Sequence, residues 1–199
     1  MIDVHILKHP SEERDISELE KKLEKTNLYL VQGYTNNIAK GRKEGFSKGS
    51  SRYLSFVDDD DSIESSDIFD ECLEILKNDD TLDGISTLEK QVTSSGKEIL
   101  QNRKYSKTNI LLPNDINLLH HLVIVKRTSI EKYIDVLDKV KAFPEFTLWG
   151  TMLLDGCKFY HLPKVGYTWN NNNAARKLKL PVTDLTRDTI NSCIEYKAA

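Results

Sequence analysis

The stretch that decides the fold is residues 52–61, which runs Arg52-Tyr53-Leu54-Ser55-Phe56-Val57-Asp58-Asp59-Asp60-Asp61. Its first six residues alternate in polarity and then become apolar, as a strand does when it enters a hydrophobic core. Four carboxylates follow directly at the carboxyl end of that strand. In open α/β sheets, ligands bind just outside the carboxyl ends of the strands. The stretch therefore predicts a buried strand that delivers an acidic cluster to a binding site.

The sequence on either side predicts alternating strands and helices. Strand patterns occupy residues 3–7, 28–31 and 52–57, and helical patterns occupy residues 11–25, 37–48 and 65–78. This alternation is typical of parallel pairing with crossover helices, the first half of a doubly wound α/β fold. The second half is less regular, with strands expected at 84–92, 110–112, 119–125 and 158–162 and helices at 130–140 and 146–154. We interpret the polar segment 93–109 as a mobile or acceptor-facing loop.

The composition is that of a single globular domain. The chain has 199 residues, of which 39% are hydrophobic and 30% are charged. Its longest apolar runs have the length of strands, so we expect no transmembrane helix. The N-terminus enters a strand pattern without the layout of a secretory signal, and we therefore expect a cytoplasmic protein. Three widely spaced cysteines without a C-x-x-C pair argue against a disulfide framework and against a structural zinc site.

The charge is unevenly distributed along a chain whose net charge is only -3. Residues 58–83 are dominated by acids, whereas residues 158–183 contain five Lys or Arg and no acid. An acidic metal site and a basic tail that faces phosphates would produce this division. Solvated surfaces of uneven composition would produce it as well.

The acidic run 58–61 is the strongest candidate for a functional site. Neighbouring carboxylates repel one another, and a divalent cation relieves that repulsion. Mg²⁺ and Mn²⁺ bind carboxylate oxygens and complete their coordination with phosphates and water. The alternative is a solvated acidic turn whose charges stabilise the N-terminus of the following helix.

Residues 37–61 resemble the central stretch of family 2 glycosyltransferases. That family shows a helix with an Ala-Arg-Asn-x-Gly core, a glycine, an aromatic strand and a metal-binding D-x-D motif. Here Gly41-Arg42-Lys43-Glu44-Gly45, Gly49 and the acidic run stand at those positions. The resemblance implies a GT-A fold with a Rossmann-like, mostly parallel central sheet flanked by helices. It also implies a nucleotide-sugar donor, with Asp58 and Asp60 as ligands of Mn²⁺ or Mg²⁺ and with Asp59 and Arg42 near the donor.

A second stretch, residues 144–163, resembles the family's acidic pair, Leu-Trp helix, Gly turn and strand that ends in Pro. In that alignment Glu145 takes the place of the general base that acts on the acceptor hydroxyl in inverting members. From the residues alone, a Glu beside Pro144 at a helix start is more often a cap or a charge in the first turn.

The chain departs from the family where the nucleotide base is usually bound. The second strand is followed by Gln32-Gly33-Tyr34 instead of Asp-Asp-Gly-Ser, and the first strand ends in Lys8-His9-Pro10. UDP-sugar is the donor that the resemblance implies, with His9, Gln32 and Tyr34 in place of the usual base contacts.

Further candidates lie near the C-terminus. We interpret His161, at the end of a strand, as a ligand of the metal or the diphosphate. Segment 166–177 resembles a lid over the donor, in which Trp169 excludes water and Arg176 pairs with phosphate; a linker is the alternative. His120 and His121 are interpreted as ordinary core or surface histidines.

These patterns predict a single domain over residues 1–199, with a donor-binding half at about 1–107 and an acceptor half with a C-terminal lid at about 108–199. The predicted reaction transfers a sugar from UDP-sugar to an acceptor hydroxyl with inversion. Candidate acceptors are a saccharide, a lipid-linked glycan, a protein and a hydroxylated DNA base, among which the sequence does not select. A nucleotidyltransferase and a non-catalytic module that binds metal or sugar are the two rival functions.

Overall fold

The structure, a computed structural model, describes residues 1–101, 121–141 and 143–170. In the first half, strands β1 (Ile2–Lys8), β2 (Asn27–Gln32) and β3 (Tyr53–Asp58) alternate with helices α1 (Ser17–Lys22), α2 (Ile38–Phe46) and α3 (Asp67–Asn78), and the short strand β4 (Ser62–Ile63) precedes α3. The second half contains β5 (Gly84–Val92), β6 (Glu98–Gln101), β7 (Val123–Lys126), α4 (Arg127–Ile130), a 3₁₀ helix (Ile134–Lys139), α5 (Pro144–Leu154) and β8 (Phe159–Asn170). The predicted alternation of strands and helices in the first half is confirmed.

All eight strands form one sheet in the order β2-β1-β3-β7-β5-β8-β4, with β6 paired to β5 outside this path. The three longest ladders, β1 with β2, β1 with β3, and β5 with β8, are parallel. The shorter pairings of β3 with β7, β5 with β7, β5 with β6 and β4 with β8 are antiparallel. The expected α/β class with a mostly parallel central sheet is therefore confirmed.

Two hydrophobic clusters cover the two faces of the sheet. Alternate residues of β1 and β3, together with β7, send side chains to opposite faces, as the pleat of a strand requires. The first cluster joins one face to α1 and α3 through residues such as Leu19, Phe69 and Cys72. The second joins the other face to the 3₁₀ helix and α5 through residues such as Leu137, Trp149 and Met152. The layers are helix, sheet and helix.

Several boundaries differ from those that the sequence predicts. Helix α1 covers six residues, because the segment before it is held over the acidic run by contacts of His9 and Arg14 with Asp59. Where the helix 130–140 is expected, the structure has a 3₁₀ helix at Ile134–Lys139, and the short α4 ends at Ile130. Strand β8 continues to Asn170, well beyond the expected end at residue 162.

The expected loop 93–109 is wrong in its first part. Strand β6 pairs with β5 from Glu98 opposite Val92 to Gln101 opposite Glu89, so residues 93–101 form a hairpin. Its turn uses Gly96 with φ of 76°, a conformation that glycine adopts without strain. The expected strand 110–112 lies outside the described residues.

In the described parts of the chain, every helix is too short or too polar to cross a lipid bilayer.

Candidate active site

The acidic run begins with the last residue of β3 and lies at one edge of the sheet. Because β1, β2 and β3 are parallel, their carboxyl ends meet at this edge. The Asp59 amide donates to the carbonyl of Leu7 on β1 at 3.2 Å, which fixes the start of the acidic turn beside β1. The sheet thus presents the four aspartates where the sequence predicts a site.

Asp58 and Asp61 lie together with His121, which directly precedes Leu122 and β7. One ligand atom from each of the three residues lies within 4.8 Å of the other two. The Nε2 atom of His121 is 3.7 Å from Oδ2 of Asp58, and the His121 ring is buried. Asp58 and Asp61 of the acidic run, together with the distant His121, thus form a group that has the composition of a metal site.

Strand β8 holds this group in place. The Tyr167 hydroxyl donates to Oδ2 of Asp61 at 2.7 Å, and the Tyr167 ring stacks on His121 at 4.7 Å between centroids. The Asn170 amide donates to Oδ1 of Asp61 at 2.8 Å, and its side chain donates to the carbonyl of Asp60 at 2.7 Å. Both oxygens of Asp61 are therefore oriented by β8.

The electrostatics of the group favour a cation. Burial, together with the negative charges of Asp58 and Asp60, raises the pKa of Asp61 well above its usual range. A divalent cation between these carboxylates would remove the repulsion that raises this pKa. Two carboxylates and one imidazole are a donor set that Mn²⁺ accepts, and Mg²⁺ accepts its carboxylate oxygens. The residues present therefore fit a divalent metal.

Arg42 is the buried cation beside this group. Its Nη2 atom donates to Oδ1 of Asp58 at 2.6 Å, its Nη1 atom to the carbonyl of Val57 at 3.1 Å, and its Nε atom to Oε1 of Glu145 at 2.5 Å. Burial opposes the charge of the guanidinium, but the carboxylates of Asp58 and Glu145 outweigh it and raise the pKa of Arg42. One side chain of α2 thus joins the start of the acidic run to the start of α5.

Glu145 is the second residue of α5, following Pro144 at the helix start. The preceding residue, Phe143, has φ of 54°, and this turn directs the first residues of α5 toward Arg42. Glu145 is 8% exposed and lies in an ion pair, unlike a solvated charge in a first helical turn.

Asp59 and Asp60 contact the loop between β1 and α1. Asp59 is buried and accepts from the backbone amide of His9 and from Nη1 of Arg14, both at 2.7 Å. Oδ2 of Asp60 lies 3.0 Å from the same Nη1 atom. Burial raises the pKa of Asp60, and the charge of Arg14 acts in the opposite direction.

The residues predicted to contact the nucleotide lie at the same edge of the sheet. His9 directly follows β1, and Gln32 is the last residue of β2. The Tyr34 hydroxyl donates to Oε1 of Glu44 at 2.6 Å, and the ammonium of Lys40 lies 4.0 Å from the Tyr34 ring centroid. Their contact with a nucleotide stays a prediction.

His161 lies on another part of the sheet. Its Nδ1 atom is 2.9 Å from the Ser86 hydroxyl, and its partner on β5 is three positions from the partner of Tyr167, or roughly 10 Å at the rise of a strand. The structure brings Asp58, Asp61 and His121 together. A role for Asp60 and His161 as metal ligands stays a prediction. Trp169 is half-buried on β8 against the first cluster, and Arg176 lies outside the described residues.

Sequence reasoning missed His121, Tyr167 and Arg14. The sequence predicts an ordinary histidine at position 121, since a position before an apolar strand does not show that the strand pairs antiparallel with β3. Tyr167 lies beyond the predicted end of β8, and Arg14 lies within a predicted helix. Only the extended course of the loop after Pro10 brings Arg14 to the aspartates.

No protein-family model matches the chain, and no curated protein sequence matches it. Residues 1–349 of Staphylococcus aureus TarS in complex with UDP superpose with a TM-score of 0.61 and 17% identity, over 85% of this chain and 60% of that chain. The same fragment in complex with UDP-GlcNAc gives a TM-score of 0.57 and 13% identity, over 87% and 59%.

Glucosyl-3-phosphoglycerate synthase from Mycobacterium tuberculosis, in complex with Mn²⁺, UDP-glucose and phosphoglyceric acid, gives a TM-score of 0.55 and 9% identity. That match covers 97% of this chain and 78% of the synthase. These likenesses show that the chain has the GT-A fold. The chain spans about three fifths of the TarS fragment.

Proposed function

We propose that the chain is a glycosyltransferase that transfers a sugar from a nucleotide-sugar donor to an acceptor hydroxyl, with the help of a divalent cation. The observation that carries this proposal is the group formed by Asp58, Asp61 and His121 at the carboxyl edge of a GT-A sheet. Ligand sites of α/β sheets lie at this edge, and a diphosphate requires a positive charge there.

We propose UDP-sugar as the donor. The similar structures were determined with UDP, UDP-GlcNAc and UDP-glucose. His9, which follows β1 and contacts Asp59, and Gln32 and Tyr34, at and after the end of β2, are the residues that we propose contact the nucleotide. Mn²⁺ is the favoured cation, because the group contains carboxylates, which suit Mn²⁺, and the similar synthase was determined with Mn²⁺.

A divalent cation bound to this group supplies positive charge to the diphosphate as the bond between the sugar and the diphosphate breaks. The chain's own residues orient that centre. Arg42 fixes Oδ1 of Asp58, which leaves Oδ2 on the side of His121. Tyr167 and Asn170 fix the two oxygens of Asp61.

Glu145 is the proposed general base. Arg42 holds its Oε1 atom, which sets the direction of Oε2, the oxygen that we propose accepts the proton of the acceptor hydroxyl. The acceptor oxygen attacks the anomeric carbon as the bond to the diphosphate breaks, and one such displacement inverts the configuration. Removal of a general base lowers the rate by about 10²- to 10⁴-fold.

The proposal is tested by a thermal-shift screen of nucleoside diphosphate sugars with Mn²⁺, followed by an assay for release of the nucleoside diphosphate. We expect one UDP-sugar to raise the melting temperature and to be hydrolysed slowly in the presence of the metal. Asp58→Asn should abolish both effects, whereas the exposed Asp67→Asn should leave them unchanged. Stabilisation by nucleoside triphosphates with sugar phosphates, and by no nucleotide sugar, would show a nucleotidyltransferase instead.

Glu145→Gln separates an enzyme from a non-catalytic binding module. In an enzyme it should lower the rate of transfer to the acceptor by about 10²- to 10⁴-fold and preserve the thermal shift with the donor. Once the donor is known, saccharides and DNA with hydroxylated bases are compared as acceptors in the same assay.

A further inference from the structure

Arg14 stands in direct contact with the acidic run. It lies in the loop between β1 and α1, and its Nη1 atom is 2.7 Å from Oδ1 of Asp59 and 3.0 Å from Oδ2 of Asp60. The Arg14 side chain is 21% exposed. One nitrogen thus bridges two adjacent aspartates at the proposed cation site.

The two aspartates depend on Arg14 to different degrees. Asp59 is buried, and its second oxygen accepts from the backbone amide of His9, so its carboxylate is fixed from two sides. The Asp60 side chain is 35% exposed, and Oδ2 faces Arg14. Asp60 is therefore the carboxylate that can exchange Arg14 for another cation.

Arg14 also binds a third carboxylate, that of Glu12. Its Nε and Nη2 atoms both donate to Oε2 of Glu12, at 3.1 and 2.7 Å. Glu12 is more than half exposed and lies on the same loop. The guanidinium is thus shared between the acidic run and Glu12, an arrangement in which one set of contacts can weaken as the other strengthens.

We propose that Arg14 and the divalent cation compete for the Asp60 carboxylate, so that Arg14 sets how tightly the acidic run binds the cation. This inference rests on the proposed function and on the prediction that Asp60 is a ligand of the cation, beside the group of Asp58, Asp61 and His121. When the cation takes Asp60, Arg14 keeps its bond to the buried Asp59 and presents its charge to the diphosphate. A bound donor thereby favours the exchange, which makes metal binding and donor binding mutually reinforcing.

Calorimetric titration with Mn²⁺ alone tests the competition. Arg14→Gln removes the competing cation, so we expect the Kd for Mn²⁺ to fall by about two- to fivefold, the range of a partly exposed ion pair. Lys8→Gln is the matched control, because it removes the same charge at the end of β1, at the same edge of the sheet. We expect Lys8→Gln to change the Kd by a smaller factor than Arg14→Gln does.

A variant with the opposite effect keeps the test independent of how well Arg14→Gln folds. Glu12→Gln removes the group that draws Arg14 away, so Arg14 should hold Asp60 more firmly and the Kd for Mn²⁺ should rise. Glu13→Gln, an exposed neighbour of equal charge, is its control and should raise the Kd less.

The outcomes separate this inference from the function on which it rests. If the wild type binds Mn²⁺ and Arg14→Gln binds it equally or more weakly, the competition is wrong and the metal site stands. If Lys8→Gln gains as much affinity as Arg14→Gln, net charge alone explains the effect and the competition is also wrong. If no variant and no wild-type protein binds Mn²⁺, both the competition and the proposed metal site are wrong.

Discussion

Arg42 is the residue on which the geometry of the site depends most. It is 2% exposed and holds Asp58 and Glu145 at the same time. Loss of one partner of a buried ion pair leaves uncompensated charge in the interior, which is strongly destabilising. The stability of the fold and the geometry of the site therefore share this one side chain.

We expect Arg42→Met to lower the free energy of unfolding by about 3–5 kcal/mol, because two carboxylates lose their buried partner. Urea denaturation at pH 7 measures this change. Arg52→Met, at an exposed arginine paired with Asp80, should cost less than about 1 kcal/mol. Equal effects of the two substitutions would contradict the role of Arg42. Adding Glu145→Gln to Arg42→Met should restore part of the lost stability.

The identity of the metal-binding histidine is a second question at the scale of single residues. The sequence predicts His161, whereas the structure places His121 beside Asp58 and Asp61. We expect His121→Gln to weaken Mn²⁺ binding by at least about tenfold and His161→Gln to leave it within about twofold. Mn²⁺ titration followed by electron paramagnetic resonance measures both. The reverse order of effects would restore His161 as the ligand.

Single residues also show which features of the site the sequence predicts and which it does not. The place of the acidic run was predictable because its four carboxylates directly follow a clear strand pattern. Arg42 and Glu145 were identified from a family resemblance, yet their ion pair joins residues 103 positions apart and has no local signal. His121 joins the site only through the antiparallel pairing of β7 with β3, which no pattern around it indicates.

At the scale of elements, α2 packs against β1 through its glycines. Gly41 and Gly45 lie about one helical turn apart, on the side of α2 that faces the sheet. A Cβ atom at Gly41 would lie 2.4 Å from Cδ1 of Leu7 on β1, and one at Gly45 would lie 3.3 Å from Cβ of His5. This close approach lets Arg42, on the same helix, reach Asp58.

Gly41→Ala should lower the free energy of unfolding by about 1–3 kcal/mol, because Leu7 must leave its rotamer to admit the added methyl group. The effect is diagnostic because alanine is the better helix former and would otherwise stabilise α2. Urea denaturation is the measurement, with Lys40→Ala on the exposed side of α2 as the control. Gly41→Ala more stable than the wild type would show that α2 stands farther from the sheet.

The elements that the sequence predicts well are those with a strong period and clear ends. Strand β5 has the bounds expected, and α3 begins and ends within two residues of the expected positions. The errors occur where tertiary contacts override local pattern. Strand β8 passes through Pro163 and two register shifts against β5, and α1 is shortened because Arg14 is bound to the acidic run.

At the scale of the whole molecule, the pH dependence of stability involves His5, a buried histidine of strand β1. The His5 ring stacks on Tyr29, and its Nε2 atom donates to the carbonyl of Lys48 at 3.0 Å. Burial lowers the pKa of His5 to about 4, and the charges of Arg127 and Arg42 act in the same direction. The folded protein therefore keeps this ring neutral in mildly acidic solution.

The lowered pKa of His5 makes the folded protein less stable as the pH falls. Between pH 6.5 and about 4 the unfolded chain binds a proton at His5 and the folded protein does not. Stability is thus unaffected above pH 6.5 and falls by up to about 3 kcal/mol as the pH drops through this window. The difference in unfolding free energy between His5→Phe and the wild type, measured in urea from pH 7.5 to 4.5, should shift in favour of the variant. A difference independent of pH would contradict this.

The α/β class of the fold was accessible from the sequence because the alternation of strands and helices in residues 1–78 admits few arrangements other than a parallel α/β sheet. The order of strands in the second half was not accessible, since β5, β7 and β8 pair across long separations. That arrangement brings β8 and His121 against the acidic run, so the proposed metal site joins residues about 60 positions apart in the sequence.

Calorimetric titration of Mn²⁺ into the protein, in the presence of saturating UDP, tests whether the acidic run is a metal site. If the acidic run holds a cation against a diphosphate, UDP should tighten Mn²⁺ binding to the wild type, and Asp58→Asn should weaken it by at least about tenfold. Mn²⁺ binding that is indifferent both to UDP and to the loss of the Asp58 carboxylate would contradict the account.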